Sequence, residues 1–81
     1  MKPKIVIIEW IDSTMLIPIW YKPQDVPDEP NEVFHTVGYL IKKTKKYHIV
    51  CASIHYDQGE IASYGGVFKI PNGCIIKIKT P

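Results

Sequence analysis

The chain contains no arginine, because all ten of its basic residues are lysines. Arginine provides the planar fork that contacts phosphate and guanine bidentately, so base-reading nucleic-acid recognition lacks its usual side chain. The net charge of +2 is too small to indicate a polyanion partner. The apolar run at 5–8 is too short for a signal peptide or a membrane helix. We therefore expect a cytosolic protein with no membrane partner.

The usual catalytic motifs are also missing. The chain has no G-x-S-x-G, no Walker loop, no H-E-x-x-H and no GxGxxG. Its three histidines and two cysteines have none of the spacings of a structural zinc site, and two cysteines cannot form a disulfide framework. We expect no enzyme, no metal site and no cofactor.

The composition of the apolar residues favours strands. They are mostly Ile and Val, whose branched side chains pack well on a pleated surface. No segment has a helical period. The pattern predicts strands at 4–11, 15–20, 33–41, 47–54, 64–70 and 74–79.

The connections between these segments are polar. Residues 21–32 hold three prolines and four acids, which predicts a long solvated loop. Turns are expected at 42–46 and 71–73, the latter a single 3₁₀ turn, and a second polar connection at 55–63. We predict an all-β fold over 1–81: a small SH3-like or Sm-like barrel of about five strongly bent antiparallel strands. An OB-type barrel is the alternative.

Two tryptophans beside a polar turn form the strongest candidate binding site. Indoles can stack a base, while hydroxyls can hydrogen-bond a phosphate or ribose. The alternative is that both indoles pack structurally and the polar residues form an ordinary turn. The candidate residues are Trp10, Asp12, Ser13, Thr14, Trp20 and Tyr21.

Further candidates lie on the later strands. Gly38, after Thr36, lets a ligand or a backbone approach closely, although a bend of the sheet explains it equally. Tyr39 is a candidate for stacking a base. Lys43 and Lys69 are candidates for contacting phosphate, although lysines also protect turns and edge strands.

The chain resembles a widespread group of small proteins from tailed-phage genomes. The resemblance rests on a W-x-D-S start, a second Trp, a V-G-Y-L strand and an I-P-x-x-x-I ending. The corresponding segments are 10–13, Trp20, 37–40 and 70–75. It implies an SH3-like or Sm-like barrel, and by analogy with small oligomeric phage proteins it implies a sponge, a protein that sequesters a nucleotide signal of bacterial immunity.

Three functions follow as expectations. The first is a non-catalytic homo-oligomeric sponge for a cyclic nucleotide or an ADP-ribose-type signal, which blocks anti-phage defence in the host cytoplasm. The second is an Sm-like RNA-binding module, which the lack of arginine disfavours. The third is a protein-interaction module that inhibits a host factor through exposed strand edges. Oligomerisation is expected in each case, because the first strand is apolar on both faces.

Overall fold

Strands dominate the computed structural model, which describes residues 2–13, 20–28 and 30–81. The described residues form seven strands, which are β1 Ile5–Ile11, β2 Val33–Lys43, β3 Tyr47–Cys51, β4 Ser53–Asp57, β5 Glu60–Gly65, β6 Phe68–Pro71 and β7 Ile75–Lys79. The helical segments are two 3₁₀ turns, Pro23–Asp25 and Asn72–Cys74. The predicted all-β class is confirmed.

Five of these strands form one antiparallel sheet in the order β6-β3-β2-β1-β7. β7 follows β6 in sequence but pairs with β1, so the last strand returns beside the first. No closed barrel is found in the described part of the chain, since β6 and β7 lie at opposite edges. One cause is local: β6 ends at Pro71, which has no N–H to donate, and the chain enters the 3₁₀ turn there.

Most predicted strand segments agree with the structure, but two of them are divided: 47–54 is broken at Ala52 between β3 and β4, and 64–70 contains the end of β5 and most of β6. The 3₁₀ turn before the last strand is confirmed, at Asn72–Cys74. The predicted extended piece at 15–20 falls almost entirely on 14–19, outside the described residues. The polar connection predicted at 55–63 is wrong, because β4 and β5 form a hairpin there. Only Gln58 and Gly59 turn it, both with positive φ, as in a two-residue hairpin loop.

This hairpin, which we call the arm, extends away from the five-stranded sheet. β4 and β5 pair only with each other. The ladder is interrupted at Ala52, whose N–H is shared between the carbonyl oxygens of Gly65 and Gly66 at 3.1 and 3.3 Å. Most arm residues are exposed, so no core face imposes the apolar alternation that would have revealed these strands in the sequence.

The core lies on one face of the five-stranded sheet, which we call the inner face. Val6 and Ile8 alternate along β1 and pack there with Val50 and Ile70, all at most 2% exposed. Trp10, the next residue in the same alternation, packs against this cluster. The centre of the sheet is therefore held by a small group of branched side chains.

Gly38 makes the closest backbone approach in the sheet. It pairs with Val6 on β1, and a Cβ at this position would lie 2.8 Å from the carbonyl oxygen of Cys51 and 3.3 Å from Cβ of Val50. The glycine therefore lets β2 bend tightly against β3, and a backbone rather than a ligand occupies the space.

The opposite, outer face of β1 and β2 carries an apolar stripe. Cross-strand pairing puts its six apolar members on one side, namely Ile5, Ile7, Ile11, Val33, Val37 and Tyr39. Val37 is 62% exposed and Ile5 41%. A single polar pair interrupts the stripe, with Nε2 of His35 3.1 Å from Oε1 of Glu9.

The molecule is elongated, with extents of 61 × 22 × 21 Å and a radius of gyration of 17.1 Å. A compact chain of this length has a radius of about 12 Å. The accessible surface of 6707 Å² is likewise about 1,700 Å² larger than that of a compact monomer of this mass. Within the described segments, no helix has the length and apolar character needed to cross a membrane.

Gly38→Ala is expected to lower the free energy of unfolding by about 2 kcal/mol, because the added methyl group must displace the Cys51 carbonyl or the Val50 side chain. Urea denaturation measures the change. Gly73→Ala is the matched control, since a Cβ there would meet nothing within 4 Å. Equal losses in the two variants would contradict this role of Gly38.

Candidate functional site

Trp10 is held in the sheet by three side chains. Its Nε1–H donates to Oγ1 of Thr36 at 2.8 Å. Its ring centroid lies 5.2 Å from that of Phe34 and 5.6 Å from that of Phe68, both in tilted geometry. These contacts give the indole N–H an acceptor and pack the ring against two aromatic side chains, so Trp10 and Thr36 have a structural role in the sheet.

Hydrogen bonds between side chains and the backbone organise the polar turn after β1. Oδ1 of Asp12 accepts from the N–H of Ser13 at 2.8 Å, and the Asp12 carbonyl accepts from Nδ2 of Asn31 at 2.8 Å. The second bond joins the two ends of the Pro-rich loop. Thr14, the remaining hydroxyl candidate, lies outside the described residues.

Trp20 and Tyr21 differ in exposure although they are adjacent. Trp20 is 89% exposed, while Tyr21 is partly buried. Both lie between β1 and β2 in the sequence, outside any strand. The described contacts of Trp10 do not include Trp20, so the structure does not bring the two indoles together as one stacking site.

The candidates on β2 and β6 lie on different faces of the sheet. Tyr39 belongs to the outer stripe and lies opposite Ile5. Lys43 lies opposite the buried His48 on the inner face. The ammonium group of Lys69 lies 4.9 Å from the ring centroid of Tyr47, a cation–π contact at the outer surface. The predicted residues therefore do not form one site.

Four clefts border the segment that leads into β1, and the smallest, of about 260 Å³, is lined by Lys2 and Tyr56 together with Glu60 of the arm. The first, of about 540 Å³, is lined by Lys2, Lys4, Tyr39 and Tyr56 among others. The second, of about 370 Å³, adds Tyr64 of the arm to the same two lysines. Neither cleft has an Asp or Glu side chain in its lining. We call this pair the tyrosine–lysine clefts.

The third cleft, of about 480 Å³, opens on the inner face and again includes Lys4. Its floor is formed by Val6, Leu40 and Ile78, together with His48. Lys43 and Lys79 also line it, and none of the lining residues is acidic. We call it the inner cleft.

The sequence predicted Tyr39 and Lys43 as site residues but did not select the lysines at 2 and 4 or the tyrosines at 56 and 64. Tyr56 was missed because residues 55–63 were predicted to be a polar connection, whereas Tyr64 was predicted to begin a strand and was given no binding role. Ile54 and Tyr56, two positions apart as on one face of a strand, were the signal in the sequence that could have indicated β4. Lys4 and Lys79 lie at the ends of apolar strands. Lysines at such positions commonly protect strand edges, so the sequence alone did not distinguish them as site residues.

His48 is part of a hydrogen-bond network that links two turns. It is 7% exposed, and its Nδ1 lies 2.6 Å from Oδ1 of Asn72. Nδ2 of Asn72 donates to the carbonyl oxygen of Thr44 at 3.1 Å. The Asn72 N–H also donates to the Lys46 carbonyl oxygen at 2.8 Å. The β2–β3 turn and the 3₁₀ turn are thereby joined.

The described residues contain no group of three or more His, Cys, Asp or Glu side chains that could hold a metal ion. Cys51 is buried and Cys74 is half-buried, and both are free thiols.

The comparisons with known proteins add no family to this picture. No family model matches the chain, and neither a curated protein nor a solved structure matches it.

Thr36→Val is expected to lower the free energy of unfolding by about 1 kcal/mol, because the half-buried Trp10 N–H loses its acceptor. Thr36→Ser keeps the hydroxyl and is the matched control. Thermal or urea unfolding measures both variants. If the two variants are equally stable, the Trp10–Thr36 bond does not contribute as described.

Proposed function

We propose that the protein is a non-catalytic binder of a small nucleotide ligand. The observation that carries this proposal is the pair of tyrosine–lysine clefts, in which exposed lysines and tyrosine rings line the same concave surface without an acidic side chain. Lysine ammonium groups attract phosphate, and aromatic rings stack on bases regardless of their identity. This combination suits a ligand that is aromatic at one end and anionic at the other.

The first cleft combines the two kinds of contact most directly. Tyr39 and Tyr56 line it from the sheet and from the arm, while Lys2 and Lys4 belong to the segment between them. A base would stack on a tyrosine ring, and its phosphates would meet the ammonium groups. Its volume of about 540 Å³ lies within the range of small-molecule sites.

The biological role that we propose is sequestration. In this role the protein is an oligomeric phage-encoded sponge that removes a cyclic nucleotide or an ADP-ribose-type immune signal from the host cytoplasm and so blocks anti-phage defence. Its support is the sequence resemblance to small tailed-phage proteins, together with the clefts. Sequestration requires binding without turnover, which agrees with a sequence that carries none of the common catalytic motifs.

Ligand binding is expected to raise the thermal midpoint by about 5 °C or more at a hundredfold excess over Kd. The ligands to test are cyclic dinucleotides, cyclic trinucleotides and ADP-ribose derivatives. Tyr56→Ala should weaken the binding of the active ligand about tenfold, since one stacking surface is lost. Trp20→Ala removes an exposed indole of the Pro-rich loop and should leave Kd unchanged. Absence of a shift with every ligand would contradict the proposal.

We further propose that the protein self-associates through the outer stripe. The support is the apolar character of this face, with Val37 62% exposed. The accessible surface exceeds that of a compact monomer of this mass by about 1,700 Å². Each partner in a standard protein interface buries about 800 Å², which is less than this excess. A second copy covering the stripe would remove apolar area from water, with Glu9 and His35 as the polar pair within the stripe and Lys77 and Lys79 of β7 beside it on the same face.

Val37→Glu is expected to convert the oligomer to monomer, because it puts a charge in the centre of the apolar face. Light scattering at tens of micromolar protein measures the mass. Val26→Glu is the control, since Val26 is similarly exposed at 54% but lies in the Pro-rich loop. A monomeric wild-type protein at this concentration would contradict the proposal.

A further inference from the structure

The hydrogen-bond network around His48 determines where its ring carries a proton. A carbonyl oxygen only accepts, so the atom of Asn72 that contacts the Thr44 carbonyl must be the amide nitrogen. The other end of the Asn72 side chain is then its oxygen, which accepts from Nδ1 of His48. The neutral imidazole therefore carries its proton on Nδ1 and has its lone pair on Nε2.

This second ring nitrogen is free to meet a ligand. Nε2 of His48 has no hydrogen bond to a described residue. No buried side-chain nitrogen or oxygen among the described residues is left without a partner, so Nε2 is not sealed in the core. His48 lines the inner cleft, so this is the surface at which an accessible Nε2 would meet a ligand. A side chain that is 7% exposed thus offers one fixed polar atom to the cleft.

The surroundings of Nε2 favour an anion. Val6, Leu40 and Ile78 make the floor apolar, which strengthens a nearby charge–charge interaction. Lys4 and Lys43 lie on the inner face, and Lys79 ends β7 at the same cleft. With no Asp or Glu in the lining, these lysines have no internal counter-ion there.

We infer that the inner cleft is a binding site for a phosphate group, with His48 as its central hydrogen-bonding residue and Lys4 and Lys43 as its cationic rim. A phosphate monoester has its second pKa near about 6, so it carries either one or two negative charges at neutral pH. The monoanion donates its P–OH to the lone pair of Nε2.

The inference goes beyond the proposed function, because cyclic nucleotides and ADP-ribose carry phosphodiester or diphosphate linkages, whereas the inner cleft would hold a terminal phosphate monoester or free phosphate. The shared chemistry is the phosphate group. Inorganic phosphate and a nucleoside 5′-monophosphate are therefore the two probes. Tighter binding of the nucleotide identifies a phosphate subsite for a larger ligand, whereas equal binding identifies a site for free phosphate.

The test follows the ring nitrogens of the three histidines by ¹⁵N NMR in the full-length protein during a phosphate titration. Nε2 of His48 is expected to shift with saturation, while the ring of His35, on the outer face, should not. His48→Gln should weaken phosphate binding about tenfold. His35→Gln is its matched control.

A second pair of variants keeps the test decisive if His48→Gln does not fold. Lys43→Gln should weaken phosphate binding about two- to fivefold at low salt, because it removes one ammonium group from the rim. Lys45→Gln, an equally exposed lysine two residues further along the same turn, removes the same charge outside the cleft and should leave Kd unchanged.

Equal effects of Lys43→Gln and Lys45→Gln, or an unshifted His48 Nε2 at phosphate saturation, would overturn the inference. Failure of this site is separable from failure of the proposed function. If a nucleotide binds and Tyr56→Ala weakens it while Lys43→Gln does not, the phosphate site is wrong and the binding function stands. If inorganic phosphate binds at His48 but no nucleotide binds more tightly, the phosphate site stands without the proposed ligand.

Discussion

The alternation along β1 is the constraint on which the rest of the structure depends. β1 pairs with both β2 and β7, and its even-numbered residues Val6 and Ile8 supply half of the buried core cluster. A shift of one residue in register would exchange this inner set for Ile5 and Ile7. The same alternation that builds the core therefore also creates the apolar outer face.

The small core explains why ligand-sized clefts exist at all. A barrel closed around a chain of this size has its interior filled by side chains. Here β6 and β7 remain apart, and the inner face ends in an open cleft that His48 and Leu40 line. Because the sheet is not closed, the short chain has a concave surface and also keeps its buried core.

The strand positions and the all-β fold class could be predicted from the sequence because β-branched residues and turn residues have local conformational preferences. The strand that begins at Val33 and the 3₁₀ turn at Asn72–Cys74 are examples. The arm was not predictable, because Ser53–Asp57 and Glu60–Gly65 bury little and so need no strong alternation. The clefts were harder still. Lys4 meets Tyr56 in one cleft and Lys79 in another only because the fold brings distant segments together, and single lysines carry no positional signal.

The pairing of the arm with itself alone has a consequence for dynamics. Hydrogen bonds of the five-stranded sheet break only when the shared core opens, whereas β4 and β5 can separate without disturbing Ile8 or Ile70. The protein therefore contains two units of unequal local stability, and amide exchange in the arm is the faster of the two. Tyr56 and Tyr64 belong to the less stable unit and line the tyrosine–lysine clefts. Local separation of β4 from β5 therefore changes the walls of these clefts without global unfolding.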